Sequence, residues 1–402
     1  MAMHLPLGYP SLLPDEILSM ILYPLVGRVD TPYATSEEQR ERLLLAAKVA
    51  RLSRAWRALA RSWWSRLEFE IGHPLDPLLL ILLQTGALER HAQYVQHLTF
   101  TTPVHARATS FRDKAQADAE DAAEMVPLTF RNFCTEVETV TLGSDITTAK
   151  YWTWALYAPP LPRLERLSCV LSFSQRRFLH RLEDAPSLRH LDVTVRRSER
   201  NIRRWLEEPY NGALPTLELR ELRLVSELDK PNTISFAQLV HDLSSMIDPT
   251  CLANVDIAYY SEHADVSALL ARCRGLRSLA LRPAVSSEGA RDLSKLVAAQ
   301  ASDWPVLERL ELELHPSDLL RHPDRPVSMV PLDLSDLIAH LPATLNQLNV
   351  AYVLESSDEL FFRSVFSDKA HPHLTSIGAY VLSKPSDKTA EPLPIRKRWQ
   401  RS

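Results

Sequence analysis

One apolar pattern recurs through most of this 402-residue chain, and a repeat of this kind constrains the fold more than any local feature does. The pattern is L-x-x-L-x-L with apolar substitutions, and Leu188-Arg-His-Leu191-Asp-Val193 is a clear copy. The ten central apolar positions are Leu98, Val140, Leu167, Leu191, Leu222, Val255, Leu279, Leu310, Leu348 and Ile377. They lie 24 to 42 residues apart and 31 apart on average, which predicts units of about thirty residues.

Each unit is predicted to contain one strand and one helix. The last two apolar residues of a full copy are two positions apart, which is the period of a strand with one buried face. Between copies the spacing becomes helical, as in Phe236, Leu239, Val240 and Leu243. A single unit cannot bury both its strand face and its helix face, so neighbouring units must stack. We therefore expect an α/β array with parallel strands on a concave surface and helices on a convex one.

The repeat resembles the leucine-rich repeat family, in the longer helical subtype of ribonuclease-inhibitor-like proteins. The resemblance covers about residues 95–381, in about ten irregular repeats. It implies a leucine-rich-repeat solenoid, a fold that is used for protein recognition.

The first seventy residues have a different, helical pattern. Leu13-Pro14-Asp15-Glu16-Ile17-Leu18 places a proline at the first helical position and two carboxylates in the first turn, which favours a helix start. A second helix is predicted from about Ser36 to Trp64. Its apolar face, spaced by three and four, consists of Leu45, Val49, Leu52, Trp56, Leu59 and Trp63.

Leu13-Pro14-x-Glu16-Ile17-Leu18, followed by Val49-x-x-Leu52-Ser53-Arg54-x-Trp56, resembles an F-box. In that family a small all-α head docks onto a Skp-type adaptor, which links it to a cullin-RING ubiquitin ligase. The resemblance implies the following adaptor-binding residues: Leu13, Pro14, Ile17, Leu18, Ile21, Leu22, Leu52 and Trp56. The expected domains are an F-box-like helical domain at 11–70, a linker or capping helix at 71–94, the solenoid at 95–381 and a flexible tail at 382–402.

The residues that flank the inward leucines of each strand are predicted to face solvent, because side chains alternate along a strand. Together with aromatic residues just past the strand ends, they form a candidate target-binding ridge on the concave surface. Its residues are Arg166, His190, Asp192, Arg223, Asp256, Tyr259, Arg282, Arg309, Glu311, Glu313 and Tyr352. For any one of them, an ordinary solvated strand face is the alternative interpretation.

Composition argues against catalysis and against cofactors. The nine glycines never lie closer than 14 residues apart, which excludes the glycine-rich loops that bind nucleotide phosphates. The four cysteines form no C-x-x-C pair, and the histidines form no H-E-x-x-H, so neither a local metal site nor catalysis at one is predicted. The formal net charge of −4 disfavours nucleic acid as a partner. The most apolar run, Leu75–Leu83, is too short to cross a membrane.

The leading hypothesis from sequence is a non-enzymatic substrate-receptor subunit of a cullin-RING (SCF-type) ubiquitin ligase. Its head would bind the adaptor and cullin, its repeats would bind a protein target, and it would act as a monomer within a hetero-complex in the cytoplasm, the nucleus or both. The alternative is a stand-alone repeat scaffold whose head only caps the first repeat. An enzyme carried on the repeats is a third, weaker alternative. The two leading hypotheses differ in one structural respect: a cap is buried against the first repeat, whereas an adaptor-binding head leaves an apolar patch exposed.

Overall fold

A computed structural model describes the chain in segments. These are residues 36–51, 57, 60–70, 77–101, 135–142, 161–171, 179, 182–195, 215–226, 234–259, 266–283, 296–297, 299–313, 339–354, 371–382 and 394–400. The chain forms two compact units, the first comprising Met1–Val170 with Arg181–Leu188, and the second comprising Leu171–His180 with Arg189–Ser402.

The first unit contains a parallel sheet whose strands follow chain order. The strands are β1 (Arg66–Glu70), β2 (His97–Thr101), β3 (Thr139–Leu142) and β4 (Arg166–Leu171). Each pairs with the next one in parallel.

The second unit repeats this arrangement over more strands. Its strands are β5 (His190–Val195), β6 (Glu221–Ser226), β7 (Asn254–Tyr259), β8 (Ser278–Pro283), β9 (Arg309–Leu312), β10 (Gln347–Leu354), β11 (Ser376–Leu382) and β12 (Pro394–Gln400). Strands β5 to β11 are parallel and in chain order, and β12 runs antiparallel to β11. The protein is therefore an α/β protein with open parallel sheets, consistent with a solenoid-like fold.

Among the described residues, helices lie between several pairs of successive strands, as the helical spacing predicted. The α-helices of the described residues are α1 (Ser36–Val49), α2 (Pro77–Gln84), α3 (Ala87–His91), α4 (Ile234–Met246) and α5 (Val266–Leu270). Short 3-10 helices occur at Ser62–Trp64, Ala92–Tyr94, Leu182–Asp184 and Ala301–Asp303. Parallel strands cannot be joined by tight turns, so each connection must cross over, and α4 and α5 do so after β6 and β7.

The ten central apolar positions each lie in a strand, β2 to β11, and each is buried. They are direct register partners of one another within each unit. Val140, for example, lies between Leu98 and Leu167, and Leu279 lies between Val255 and Leu310. The first apolar residue of the pattern is buried as well, from Leu188 to Leu374. Within each unit, each repeat thus adds one layer to the apolar core.

Within each unit, a shared carbonyl joins one repeat to the next. In the first unit the carbonyl of Glu138 accepts hydrogen bonds from two successive backbone N–H groups, those of Glu165 at 2.9 Å and Arg166 at 3.0 Å. In the second unit the carbonyl of Arg277 does the same for Glu308 at 2.8 Å and Arg309 at 3.0 Å. The remaining carbonyls of this kind are those of Ser65, Gln96, Arg189, Arg220, Ala253, Glu308 and Asn346.

Three boundary predictions are wrong. The head does not stay helical to residue 70, because Arg66–Glu70 forms β1 with Leu67 and Phe69 buried. The helix that begins at Ser36 ends at Val49 instead of continuing to Trp64, and Leu45 on its expected apolar face is only half-buried. The expected flexible tail contains β12, since Pro394–Gln400 pairs with β11 along its whole length.

Helix α1 covers the free edge of β1. The side-chain amide of Gln39, fully buried, donates from Nε2 to the backbone oxygen of Glu68 at 2.9 Å and accepts at Oε1 from the Glu68 N–H at 2.8 Å. An amide side chain used in this way replaces the strand that the edge lacks. Leu43, Ala46 and Val49 on the same helix are also buried. Helix α1 is therefore packed as a cap on the first strand.

We expect Gln39→Leu to lower the free energy of unfolding of the full chain by about 2 kcal/mol, because two partly buried backbone groups of Glu68 lose their partners. Urea unfolding followed by circular dichroism measures this. The control is Gln84→Leu, which makes the same change at an exposed position near the end of α2. Equal stability of the two variants would show that the amide does not cap the edge.

Candidate functional site

The outward side chains of β5 to β9 form a polar surface that we call the charged face. Along β5, His190, Asp192 and Thr194 are half-buried while the residues between them are buried, and the first four residues of β6 and β7 alternate in the same way. Direct register places Asp192 beside Arg223, Arg223 beside Asp256 and Asp256 beside Ala280. The charged face consists of His190, Asp192, Glu221, Arg223, Asn254, Asp256, Ser278, Arg282, Arg309, Glu311 and Glu313.

Four linked ion pairs cross this face from β5 to the end of β9. Arg223 lies between two carboxylates, with Nη1 3.2 Å from Asp192 Oδ2 and Nε 3.5 Å from Asp256 Oδ2. Arg282 lies between the next two, with Nε 3.1 Å from Asp256 Oδ1 and Nη2 3.2 Å from Glu313 Oε2. The signs alternate along the series, so each arginine is held from both sides. This fixes the positions of five long or charged side chains on a rigid sheet.

Two smaller groups flank the series of ion pairs. At one end, Glu221 accepts from His190 Nδ1 at 2.7 Å and from Asn254 Nδ2 at 3.1 Å, if the imidazole carries its proton on Nδ1. At the other end, Arg309 forms an ion pair with Glu311, whose Oε1 also lies 3.4 Å from Asn349 Nδ2.

Asn349 lies over a glycine on the neighbouring strand. Gly378 of β11 is its direct register partner. A Cβ at Gly378 would lie 2.6 Å from Asn349 Oδ1, so a side chain there would displace the asparagine. The glycine thereby preserves the position of Asn349 beside Glu311.

Asp256 is the most constrained carboxylate of the charged face. Burial raises its pKa above the usual range, and the attraction of Arg282 and then Arg223 opposes this shift without cancelling it. Glu313 and Glu311 add a further upward influence. The geometry explains why burial raises the pKa more than the arginines lower it. Arg282 Nε and Asp256 Oδ1 are close, but both atoms are buried and they are not aligned as a hydrogen bond.

The structure can be compared with the eleven residues that the sequence predicted for the target-binding ridge. Nine of the eleven lie on outward positions of strands or just beyond them, with Arg166 on β4 of the first unit. Tyr259 is a correction: β7 continues through it, and it shares the inner, buried face with Val255 and Ile257. Tyr352 lies in β10, but its side chain is outside the described residues.

The adaptor-binding prediction falls outside the described residues. This holds for Leu13, Pro14, Ile17, Leu18, Ile21, Leu22, Leu52 and Trp56. In the part of the head that is described, the exposed large apolar residue is Leu44 on α1, with 52% of its surface accessible.

Sequence reasoning missed two features that bear on function. The first is Gln39, since a buried glutamine in a helix gives no signal in an apolar pattern. The second is the outward face of β1, with Arg66 and Glu68. Its signal was present, because Arg66-Leu67-Glu68-Phe69-Glu70 alternates with the period of a strand.

Among the described residues no group of three or more histidines, cysteines or carboxylates could hold a metal ion. Burial raises the pKa of the Cys273 thiol to about 11, and its sulfur lies 3.1 Å from the Leu269 carbonyl oxygen. A thiol with that pKa stays protonated and is a poor nucleophile. No helix in the described segments is long and apolar enough to span a bilayer.

Comparison with known proteins adds little. No protein-family model matches the chain, and no curated protein matches it either. Among solved structures it is similar to the crystal structure of a protein from Bacteroides fragilis, with 11% sequence identity and a TM-score of 0.33, covering 86% of this chain and 87% of that one. A TM-score this low carries no argument about fold or function.

Because the pKa of Asp256 is raised by folding, the folded chain binds its proton more tightly than the unfolded chain. The resulting stabilisation is complete below the unfolded pKa and is lost as the pH rises through the folded value. We therefore expect the free energy of unfolding of the wild type to fall relative to Asp256→Asn as the pH rises above about 4. Urea unfolding at a series of pH values measures the difference.

Asp248→Asn serves as a control of opposite sign. The side-chain hydroxyl and the backbone N–H of Thr250 bind Asp248 and lower its pKa. Its contribution is present above the unfolded pKa and lost as the pH falls. A constant, pH-independent difference between wild type and Asp256→Asn would contradict the raised pKa.

Proposed function

We propose that this chain is a non-enzymatic protein-recognition scaffold whose charged face binds a protein partner. The observation that supports it best is the series of four ion pairs from Asp192 to Glu313. Arginines at protein interfaces contribute strongly when they are held in place before binding, since less conformational entropy is lost. A sheet carrying locked arginines and carboxylates is organised in this way.

The charge of this face favours a protein over a nucleic acid. Its three arginines, Arg223, Arg282 and Arg309, are each neutralised by neighbouring carboxylates. Binding to a phosphate backbone requires several uncompensated cations along a surface. A face of mixed charge, in which carboxylates outnumber arginines, suits the polar and charged side chains of another protein and disfavours phosphates.

Helix α1 acts as the N-terminal cap in this proposal. Repeat arrays need a terminal element that shields the first unit from solvent and from edge pairing. The buried Gln39 and its two hydrogen bonds to Glu68 support this role for residues 36–49.

A second candidate function is that of a substrate receptor in a cullin-RING ubiquitin ligase, with residues 13–22 binding a Skp-type adaptor. It rests on the F-box-like pattern of Leu13-Pro14-x-Glu16-Ile17-Leu18. The exposed Leu44 on α1 and Ile81 on α2 favour it, since these two helices contact each other and present apolar surface. The two roles use different residues, so one head can both cap the array and bind an adaptor.

We expect a photo-crosslinking amino acid placed at Ser278 of the full-length chain to trap a discrete protein partner in cells of the source organism. Ser278 lies at the centre of the charged face, between Asn254 and Arg309. The control position is Ser302, which is exposed on a 3-10 helix between β8 and β9. The same adduct from both positions, or none from Ser278, would refute recognition through this face.

We expect a purified Skp-type adaptor to bind the wild-type chain and not Leu13→Ala/Pro14→Ala, because these residues begin the helix that would enter the adaptor's groove. A pull-down with purified proteins measures this. Leu44→Ala tests whether exposed apolar surface on α1 contributes. Equal binding by wild type and the double variant, or no binding by either, would reject the ligase role and leave the scaffold proposal intact.

A further inference from the structure

The outward face of β1 to β4, in the first unit, carries a second set of polar side chains. Direct register aligns Arg66, His97, Thr139 and Arg166 in one row across the four strands. The next row, two residues further along each strand, consists of Glu68, Thr99, Thr141 and Ser168. The residues between the two rows, Leu67, Leu98, Val140 and Leu167, are buried. Both rows therefore share the side of the sheet opposite the core.

The positive charge of this face is concentrated at one end. Arg66 is compensated, since its Nε lies 3.2 Å from Glu68 Oε1. Burial, followed by the nearby Arg66, lowers the pKa of His97, with Glu138 opposing, so the imidazole is neutral at neutral pH. Arg166 is exposed and forms no ion pair with any carboxylate in the described residues. It is the uncompensated cation of this row.

Arg166 differs in this respect from the other arginines predicted to bind a target. Arg223, Arg282 and Arg309 each have a carboxylate within 3.5 Å. A partner's anionic side chain that approached one of them would compete with a group already bound. At Arg166 it would meet an exposed guanidinium with no carboxylate partner among the described residues, which favours a bidentate contact.

Hydroxyl groups lie beside Arg166 on its own face, on β3 and further along β4. Thr139 is its direct neighbour on β3, Ser168 follows two residues later on β4, and Thr141 is the neighbour of Ser168. Adjacent strands lie about 4.8 Å apart, so these hydroxyls are within the span of one small anionic group. Hydroxyl donors beside an arginine fork are suited to carboxylate and phosphate oxygens.

We infer that Arg166, with the hydroxyls of Thr139 and Thr141, anchors one anionic side chain of the protein partner, either a carboxylate or a serine phosphate. This inference rests on the proposed function, since it assumes that the bound molecule is a protein. A single uncompensated cation fits one anionic residue and does not fit the many phosphates of a nucleic acid. Arg166 thereby selects partners that carry an anionic residue at this point. The paired arginines of the charged face instead hold the side chains of that face in position.

The test uses the full-length chain and three fluorescent pools of degenerate nonapeptides, with glutamate, phosphoserine or glutamine fixed at the centre. Fluorescence anisotropy should show the wild type binding one anionic pool about tenfold more tightly than the glutamine pool. Arg166→Gln should abolish this preference. The pool that binds more tightly identifies the anion as carboxylate or phosphate.

Arg163→Gln is the matched control, because Arg163 is an exposed arginine of the same unit whose partner is Glu136. It should keep the anion preference. Arg166→Lys retains the charge without the planar fork, so it should show an intermediate preference and should fold even if the glutamine variant does not. Retention of the full preference by both Arg166 variants, or the lack of any preference in the wild type, would overturn the inference.

The Ser278 crosslink separates this inference from the proposed function. If Ser278 traps a partner while Arg166→Gln keeps the wild-type anion preference, then recognition by the chain stands and the role of Arg166 is wrong. If the anion preference depends on Arg166 while Ser278 traps nothing, then the charged face is not the recognition surface and the role of Arg166 stands.

Discussion

Within each unit, successive repeats are joined by a carbonyl oxygen that accepts two successive N–H groups from the next repeat. Arg277 bonded to Glu308 and Arg309 is one example, and the same arrangement recurs in both units. It holds the start of each strand beside its neighbour, so the following leucine falls into direct register with the leucine before it. Burial of that leucine, at about 2 kcal/mol each, then stabilises the array layer by layer.

Because register is fixed by backbone bonds and by the apolar core, the outward positions are free to carry polar residues. The protein uses this freedom in two ways. On the charged face, arginines and carboxylates alternate and lock each other, as Arg223 does between Asp192 and Asp256. On the first unit, hydroxyls lie beside Arg166, which has no described carboxylate partner. The first arrangement favours a rigid surface, and the second leaves a cation available for binding.

The apolar period predicted ten strands, and all ten are present with their central residues buried. The prediction of strands from this period failed where the alternating segment was short or where it contained few apolar residues. Arg66–Glu70 was assigned to the helical head although it alternates as a strand, because the tryptophans before it suggested a longer helix. Pro394–Gln400 is rich in basic residues and was assigned to a tail, but pairing with β11 satisfies its backbone groups.

The sequence by itself determined the α/β class, the repeat length and which residues of each strand face outward, because burial of leucine at a fixed spacing is a local property of the chain. Only the tertiary structure decided which outward charges are paired. Arg166 precedes and Arg223 follows the central leucine of its repeat, and both positions face outward. Arg166 has no carboxylate partner among the described residues, whereas Arg223 lies between two carboxylates. The physical reason is that an ion pair forms between strands about thirty residues apart, so it depends on which side chains the register brings together. The same holds for Gln39, whose partner Glu68 lies 29 residues further along the chain.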